Sequence, residues 1–168
     1  DGGKTLVVPG EGTWTIGTDG QITFPPAAGY AGTTTPVEYQ ITTEHQIVGM
    51  AAFGQTLVVV TEGFPYYISG ADSASMSAQK LEMRQACVSA ASVVSVDGGV
   101  VYASPDGLCM AAGNGISVIT AQHFSRTDWQ VLAPTTMRCA YHDGVVYFLA
   151  TGMSSAYVLD PATGLKLA

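Results

Sequence analysis

A chain of 168 residues with 47% hydrophobic and only 11% charged residues carries less than half of the roughly 25% charge found in an ordinary soluble domain. Its net charge is −7, and its six Lys and Arg are scattered at 4, 80, 84, 126, 138 and 166, which excludes a basic nucleic-acid groove. No run of eighteen apolar residues occurs, so a membrane-spanning helix is excluded as well. Eight Tyr, five Phe, two Trp and twenty Gly, with long runs of Val, Thr and Ser, make an all-β composition. So few charges imply either a Ser/Thr/Gly-rich surface or faces buried against neighbouring subunits. The chain begins with Asp and lacks a basic stretch followed by an apolar one, so it is expected to be processed or part of a longer polypeptide.

Residues 1–44 alternate in apolar character through Leu6 and Val8, Trp14 and Ile16, Ile22 and Phe24, then Val37, Tyr39 and Ile41. Pro-Gly, Asp-Gly and Ala-Gly breaks separate the pairs, and the pattern predicts four strands of a small antiparallel sheet with Asp19-Gly20 at a hairpin tip. From residue 46 the strands become more uniformly apolar, as in IVGMAAF and LVVV, which suits sheets buried on both sides. The boundary is placed near His45, giving segments 1–44 and 45–168.

The second segment repeats. LVVVTEG (57–63), VYASPDG (101–107) and VYFLATG (146–152) superpose at spacings of 44 and then 45 residues. A period of roughly 40 to 50 residues built from short strands and tight turns predicts a partial β-propeller-like array of about three blades. The first blade takes IVGMAAF, LVVVT and FPYYIS; within 69–85 the Ala, Ser, Gln and Lys favour a helix while Leu81 and Met83 alternate with Lys80, Glu82 and Arg84 in strand fashion, and an outer strand is the favoured reading. The second takes ASVVSV, VVYAS, LCMAA and ISVIT, with Asp97-Gly98, Asp106-Gly107 and Asn114-Gly115 as turns. Ser125 followed by Asp128, Trp129, Val131 and Leu132 has capping-box spacing and predicts a short helix over 126–132. The third blade takes MRCAYH, VVYFLAT and SSAYVLD, with its fourth strand around Leu165 to Leu167.

Little in the sequence carries chemistry. Cys87, Cys109 and Cys139 are spaced by 22 and 30 residues, unsuited to a CxxC metal or redox pair, and are expected to be buried free thiols. His142-Asp143 falls at a hairpin turn. His123, Ser125 and Asp128 are explained by a helix cap, whereas the members of a catalytic triad converge from distant segments. DPATG (160–164) lacks the alternating acids of a calcium loop, and GNG (113–115) has no phosphate-loop lysine after it. The candidate binding residues are Phe64, Tyr66 and Tyr67, which with Pro65 would form a stacking patch for a glycan or a partner strand. Adjacent tyrosines on a strand point to opposite faces, so at least one of the two belongs to the core. Trp14, Tyr30 and Tyr39 are expected to pack the N-terminal sheet.

Two resemblances add to this reading. KTLVVPGEGTWTIGTDGQITFPPAAGYAGTTTPVEYQIT resembles the C-terminal half of a CshA-type repeat of bacterial surface adhesins. GQTLVVVTEGFPYYISG, RQACVSAASVV, VVYASPDGL and FSRTDWQVLAPTTM resemble a propeller-like virion protein of tailed bacteriophages and prophages, a family that offers no catalytic residues to carry over. Together they imply attachment. The expected function is a non-enzymatic structural and attachment protein of a phage or prophage particle, in the tail or host-contact apparatus. Its expected partners are other virion subunits, the host cell surface or further copies of itself, with no cofactor, metal, nucleic acid or membrane insertion. The alternative is a bacterial cell-surface adhesin module, cell-surface or extracellular. A third class, a glycan-acting enzyme, requires two carboxylates roughly 5 to 10 Å apart in a cleft.

Overall fold

The computed structural model describes residues 4–17, 21–35, 42–70, 76–161 and, for the backbone alone, 164–167. Within them the chain is all-β, in four antiparallel sheets of which none is closed, with one short helix and two 3₁₀ turns. Among the described residues no helix is long and apolar enough to cross a membrane.

In the first sheet β1 (Lys4–Val8) pairs with β2 (Gly12–Ile16), which pairs with β3 (Ile22–Thr23). Gly17 donates to the Gln21 carbonyl at 2.8 Å, so the chain does reverse across the expected hairpin. The Asp19-Gly20 tip itself, and the expected strand of Val37, Tyr39 and Ile41, lie outside the described residues. Alternation sends Trp14 inward, where its ring meets Phe24 at 4.5 Å while Phe24 meets Tyr30 edge-on at 6.4 Å. The segment thus builds a small aromatic nucleus of its own, and no residue of this sheet enters the clusters that form the core elsewhere. A chain crossing tightens it: Thr13 donates to the Pro25 carbonyl, and a Cβ on Gly12 would lie 2.6 Å from that same oxygen. β1 gains no cover, and Leu6 and Val7 stand 51% and 63% exposed.

The other three sheets are four-stranded meanders, each of consecutive strands. The first contains β4 (Ile47–Phe53), β5 (Thr56–Thr61), β6 (Tyr66–Ser69) and β7 (Ser77–Lys80). The second contains β8 (Val94–Val96), β9 (Gly99–Ser104), β10 (Gly107–Ala112) and β11 (Gly115–Val118). The third contains β12 (Arg138–His142), β13 (Val145–Leu149), β14 (Tyr157–Asp160) and β15 (Gly164–Leu167). The expected outer strand within 69–85 is present but stops at Lys80. Leu81 leaves the ladder, donating to the Pro65 carbonyl at 2.9 Å, and Met83 turns outward. The alternation of Leu81 and Met83 with Lys80, Glu82 and Arg84 therefore continues past the strand's end without a sheet partner.

The meanders stack in chain order, with β4 against β8 and β9, and β8 against β12. β9 explains why: all six of its residues are buried, and its two faces serve different neighbours. Val100 and Tyr102 join Val58, Val60, Cys87, Cys109 and Ala111 on the side of the first meander. Val101 and Ala103 join Trp129, Val146, Phe148 and Leu159 on the side of the third. A strand apolar on both faces is what such a sandwiched position requires.

The repeat is registered by its hairpins. Phe53 pairs with Thr56, Val96 with Gly99 and His142 with Val145, so Thr56, Gly99 and Val145 are equivalent and the spacing is 43 and then 46 residues. The 44 and 45 read from matching letters are each one residue off, and in a strand one residue is the difference between the two faces. The shared Val-Tyr pair of VYASPDG and VYFLATG misleads because Tyr102 faces the preceding meander whereas Tyr147 faces the opposite way.

Between the second and third meanders runs α1 (Arg126–Val131), in the predicted place. Its cap, Ser125, accepts from the Asp128 N–H at 3.1 Å and donates to Asp128 Oδ2 at 2.6 Å. Trp129 is fully buried beneath it and donates from Nε1 to the Ser104 carbonyl at 2.8 Å.

All three cysteines are free; Cys87 and Cys109 are buried and Cys139 is half-buried. Burial is the main cause that pushes their thiols up to about 11, 12 and 12 respectively. At pH 8 the thiolate fraction is then about 10⁻³ or less, and thiolate is the reactive species. An aromatic disulfide reagent is expected to label none of the three within minutes in the native protein and all three after denaturation. Rapid labelling of the folded chain would contradict this.

Candidate functional site

β6 sets Tyr66 and Tyr67 on opposite faces of the first meander. Phe64 is presented just before it by a turn closed by Thr61, whose hydroxyl donates to the Phe64 carbonyl at 2.8 Å and accepts from the Gly63 N–H at 3.0 Å. Phe64 is half-buried, and the Lys80 ammonium sits 4.1 Å from its ring centroid, in the range of a cation–π contact. Lys80 also reaches both carboxylate oxygens of Glu44 at 2.7 Å. The Glu44 carboxyl is held below its ordinary value, chiefly by that hydrogen bond.

Tyr66 is 6% exposed, and its hydroxyl accepts from the Glu44 N–H at 3.2 Å. Tyr67 leaves by the other face, edge-on to Phe53 at 6.1 Å, with its hydroxyl between the carbonyls of Ala112 and Gly115. The structure thus brings Phe64 and Tyr66 together and uses Tyr67 to tie the first meander to the β10–β11 turn. Sequence reasoning missed Glu44, His45 and Lys80, which fasten the junction to this surface. The His45 ring occupies the space a Cβ on Gly63 would need, and Glu62 donates to the Gln46 carbonyl at 3.0 Å. The small residue at 63 is the signal that something packs there.

Beside Lys80 lies a cleft of about 370 Å³ lined by Gln79, Lys80, Leu81, Glu82, Met83, Gly115 and Ile116. Its walls mix two opposite charges with apolar side chains. No nucleophile and base converge there. His142-Asp143 lies at the β12–β13 turn, where Asp143 and Gly144 both have positive φ, 53° and 81°, as a tight type I′ hairpin demands. Asp160 ends β14, and part of DPATG lies outside the described residues. Asp106 is engaged by Gln85 Nε2 and by Arg126 Nε, each at 3.1 Å. Among the described residues no group of three or more His, Cys, Asp or Glu side chains is arranged to hold a metal ion.

The N-terminal sheet presents a separate surface. The Glu11 carboxylate accepts from the Thr35 N–H at 2.7 Å and from its hydroxyl at 2.5 Å, pinning the strap that follows β3. These bonds hold the Glu11 carboxyl below its ordinary value. Exposed Leu6 and Val7 lie on the sheet's free edge strand.

No curated protein matches the chain. Residues 1–57, about a third of the chain, match the family model described as the surface adhesin CshA repetitive domain. The match crosses the predicted boundary at His45 and ends within β5. Nothing in these comparisons corresponds to a phage tail protein, and the likeness they show is to a repeat of a surface adhesin.

Proposed function

We propose that the chain is a non-enzymatic attachment module acting at a bacterial cell surface or in its extracellular surroundings. The family match over residues 1–57 carries this reading. The three stacked meanders are read as blades of a partial β-propeller, a rigid platform to which residues 43–46 fasten the N-terminal sheet. The low content of charge and the net charge of −7 favour protein or glycan partners over nucleic acid. Phe64 with Lys80 above it, and the cleft next to it, form the surface on the platform best suited to such a contact. Binding proceeds through many weak contacts made at once.

The test uses beads that carry many copies of the full chain, passed over immobilised extracellular-matrix glycoproteins and over bacterial cell-wall glycans. Retention at least about 10²-fold stronger than that of the free chain is expected. Retention on cell-wall glycans alone would move the reading toward contact with bacterial hosts. Equal or absent retention on both surfaces would contradict it.

A further inference from the structure

The cleft beside Phe64 and Lys80 is walled in part by main chain. Successive side chains of an extended chain point to opposite faces, so a wall of five consecutive residues, Gln79 to Met83, with Gly115 across from it, is not made of side chains alone. Hydrogen-bond parity decides which groups are offered. The Leu81 N–H donates to the Pro65 carbonyl at 2.9 Å, opposite it in the β6–β7 register, and antiparallel ladders alternate bonded and non-bonded pairs. The N–H and C=O of Ala78 and Lys80 therefore point away from β6, along an edge that carries no further strand among the described residues. Across the cleft, the Ile119 N–H donates to the Leu108 carbonyl at 2.8 Å. The same parity turns the N–H and C=O of Ile116 outward from β11, which is also an edge strand. Beyond β7 the N–H groups of Glu82 and Met83 have no hydrogen-bond partner among the described residues.

We propose that this cleft takes an extended segment of a partner polypeptide, which adds to the outer edge of β7 and sets a basic side chain against Glu82. The proposal rests on the reading of this surface as the contact site and narrows its occupant to peptide main chain. A sugar stacks on an open aromatic ring, and the rings here are engaged. The Lys80 ammonium lies over Phe64, Tyr66 is 6% exposed, and the Tyr67 hydroxyl is held by two carbonyls. A row of outward N–H and C=O groups is matched instead by another extended backbone, with specificity left to the side chains beside it. Charge selects those side chains. Glu44 holds Lys80 through both carboxylate oxygens, whereas the exposed Glu82 carboxylate has no ion pair among the described residues. The unbalanced charge of the cleft is thus negative, and Met83 and Ile116 offer an apolar residue its contact beside the basic one. β7 is four residues long, about 13 Å of edge at about 3.3 Å per residue. A single contact is therefore weak, with an expected dissociation constant of about 10–100 μM, as suits attachment through many copies.

Fluorescence anisotropy at about 150 mM salt, with a labelled peptide that alternates Lys and Val, reads the outcome. Saturable binding to the full chain is expected in that range. The same peptide N-methylated throughout keeps its charge and loses its donors, and is expected to bind at least about tenfold more weakly. Glu82→Gln is expected to weaken the unmodified peptide at least about threefold, with an unchanged circular dichroism spectrum. Asp143→Asn, the same change of charge in a turn of the third meander, should leave binding within about twofold. No binding, equal binding of the N-methylated peptide, equal losses in the two variants, or competitive displacement by soluble cell-wall glycan fragments would each overturn the proposal. Bead retention on glycoproteins or glycans without peptide binding overturns this proposal alone, whereas peptide binding without bead retention supports it and contradicts the attachment reading.

Discussion

Trp129→Ala is expected to lower the unfolding free energy by about 3–5 kcal/mol. Trp129 is the largest fully buried side chain, and it joins elements remote in sequence. Its ring lies 5.9 Å from Phe124 and 6.1 Å from Phe148, while its N–H closes on Ser104, the last residue of β9. Truncation removes the apolar contacts of a whole indole, leaves a cavity between the second and third meanders, and strips the Ser104 carbonyl of its donor. Against a typical total of about 5–15 kcal/mol, that loss is a large fraction, and the melting temperature should fall by roughly 10 °C or more. Trp129→Phe keeps most of the packing but not the hydrogen bond, so a smaller loss of about 1–3 kcal/mol is expected. Denaturant melts followed by circular dichroism read both, and a loss under about 1 kcal/mol for Trp129→Ala would mean that the helix does not key the two meanders together.

Val101→Asp and Tyr147→Asp are expected to behave oppositely, although the hairpin register makes them equivalent. Val101 is wholly buried between the second and third meanders. A carboxylate there has no partner, and its desolvation costs several kcal/mol, enough to unfold a domain of ordinary stability. Tyr147 is 37% exposed on the side of β13 turned away from the second meander, so the folded chain should lose far less to Asp, about 1–2 kcal/mol. The alignment by matching letters predicts something else, because it equates Tyr147 with Tyr102, which is wholly buried and donates its hydroxyl to the Gln85 carbonyl at 3.0 Å. If Tyr147→Asp proved as damaging as Tyr102→Asp, the hairpin register would be wrong.

The contrast shows which parts of this fold a single sequence can reveal. Strand positions were legible wherever Asx-Gly turns bracket β-branched runs, because the turn chemistry is local. The second meander has its four strands in the expected order and Asp97-Gly98 at the first tip. Gly107 and Gly115, however, already pair with Ser104 and Ala112, so two turns fall one residue earlier, and the expected strand over 91–96 begins only at Val94 after a 3₁₀ turn. The cap at Ser125 was legible for the same reason. Which side each strand presents was not, since a facing requires knowing the neighbour, and identical letters at Val101-Tyr102 and Val146-Tyr147 point in opposite senses. The surface around Phe64 was partly legible: the opposite facing of Tyr66 and Tyr67 follows from strand geometry, whereas Lys80 and Glu44 reach it from 16 residues downstream and 20 upstream. Such pairings across the chain leave no local pattern. Leu6 and Val7 show the converse failure, an apolar edge strand that looks like core in sequence and is left on the surface.

Amide hydrogen exchange resolved by peptide tests the central claim, that a stack of meanders carries a separately built N-terminal sheet. β9, sandwiched between two neighbours, should exchange only through global unfolding, and the facing strands β5 and β13 should follow it closely. β1, with no cover over Leu6 and Val7, should exchange orders of magnitude faster through local opening. Comparable rates in β1 and β9, or a third meander that opens independently of the second, would contradict the account.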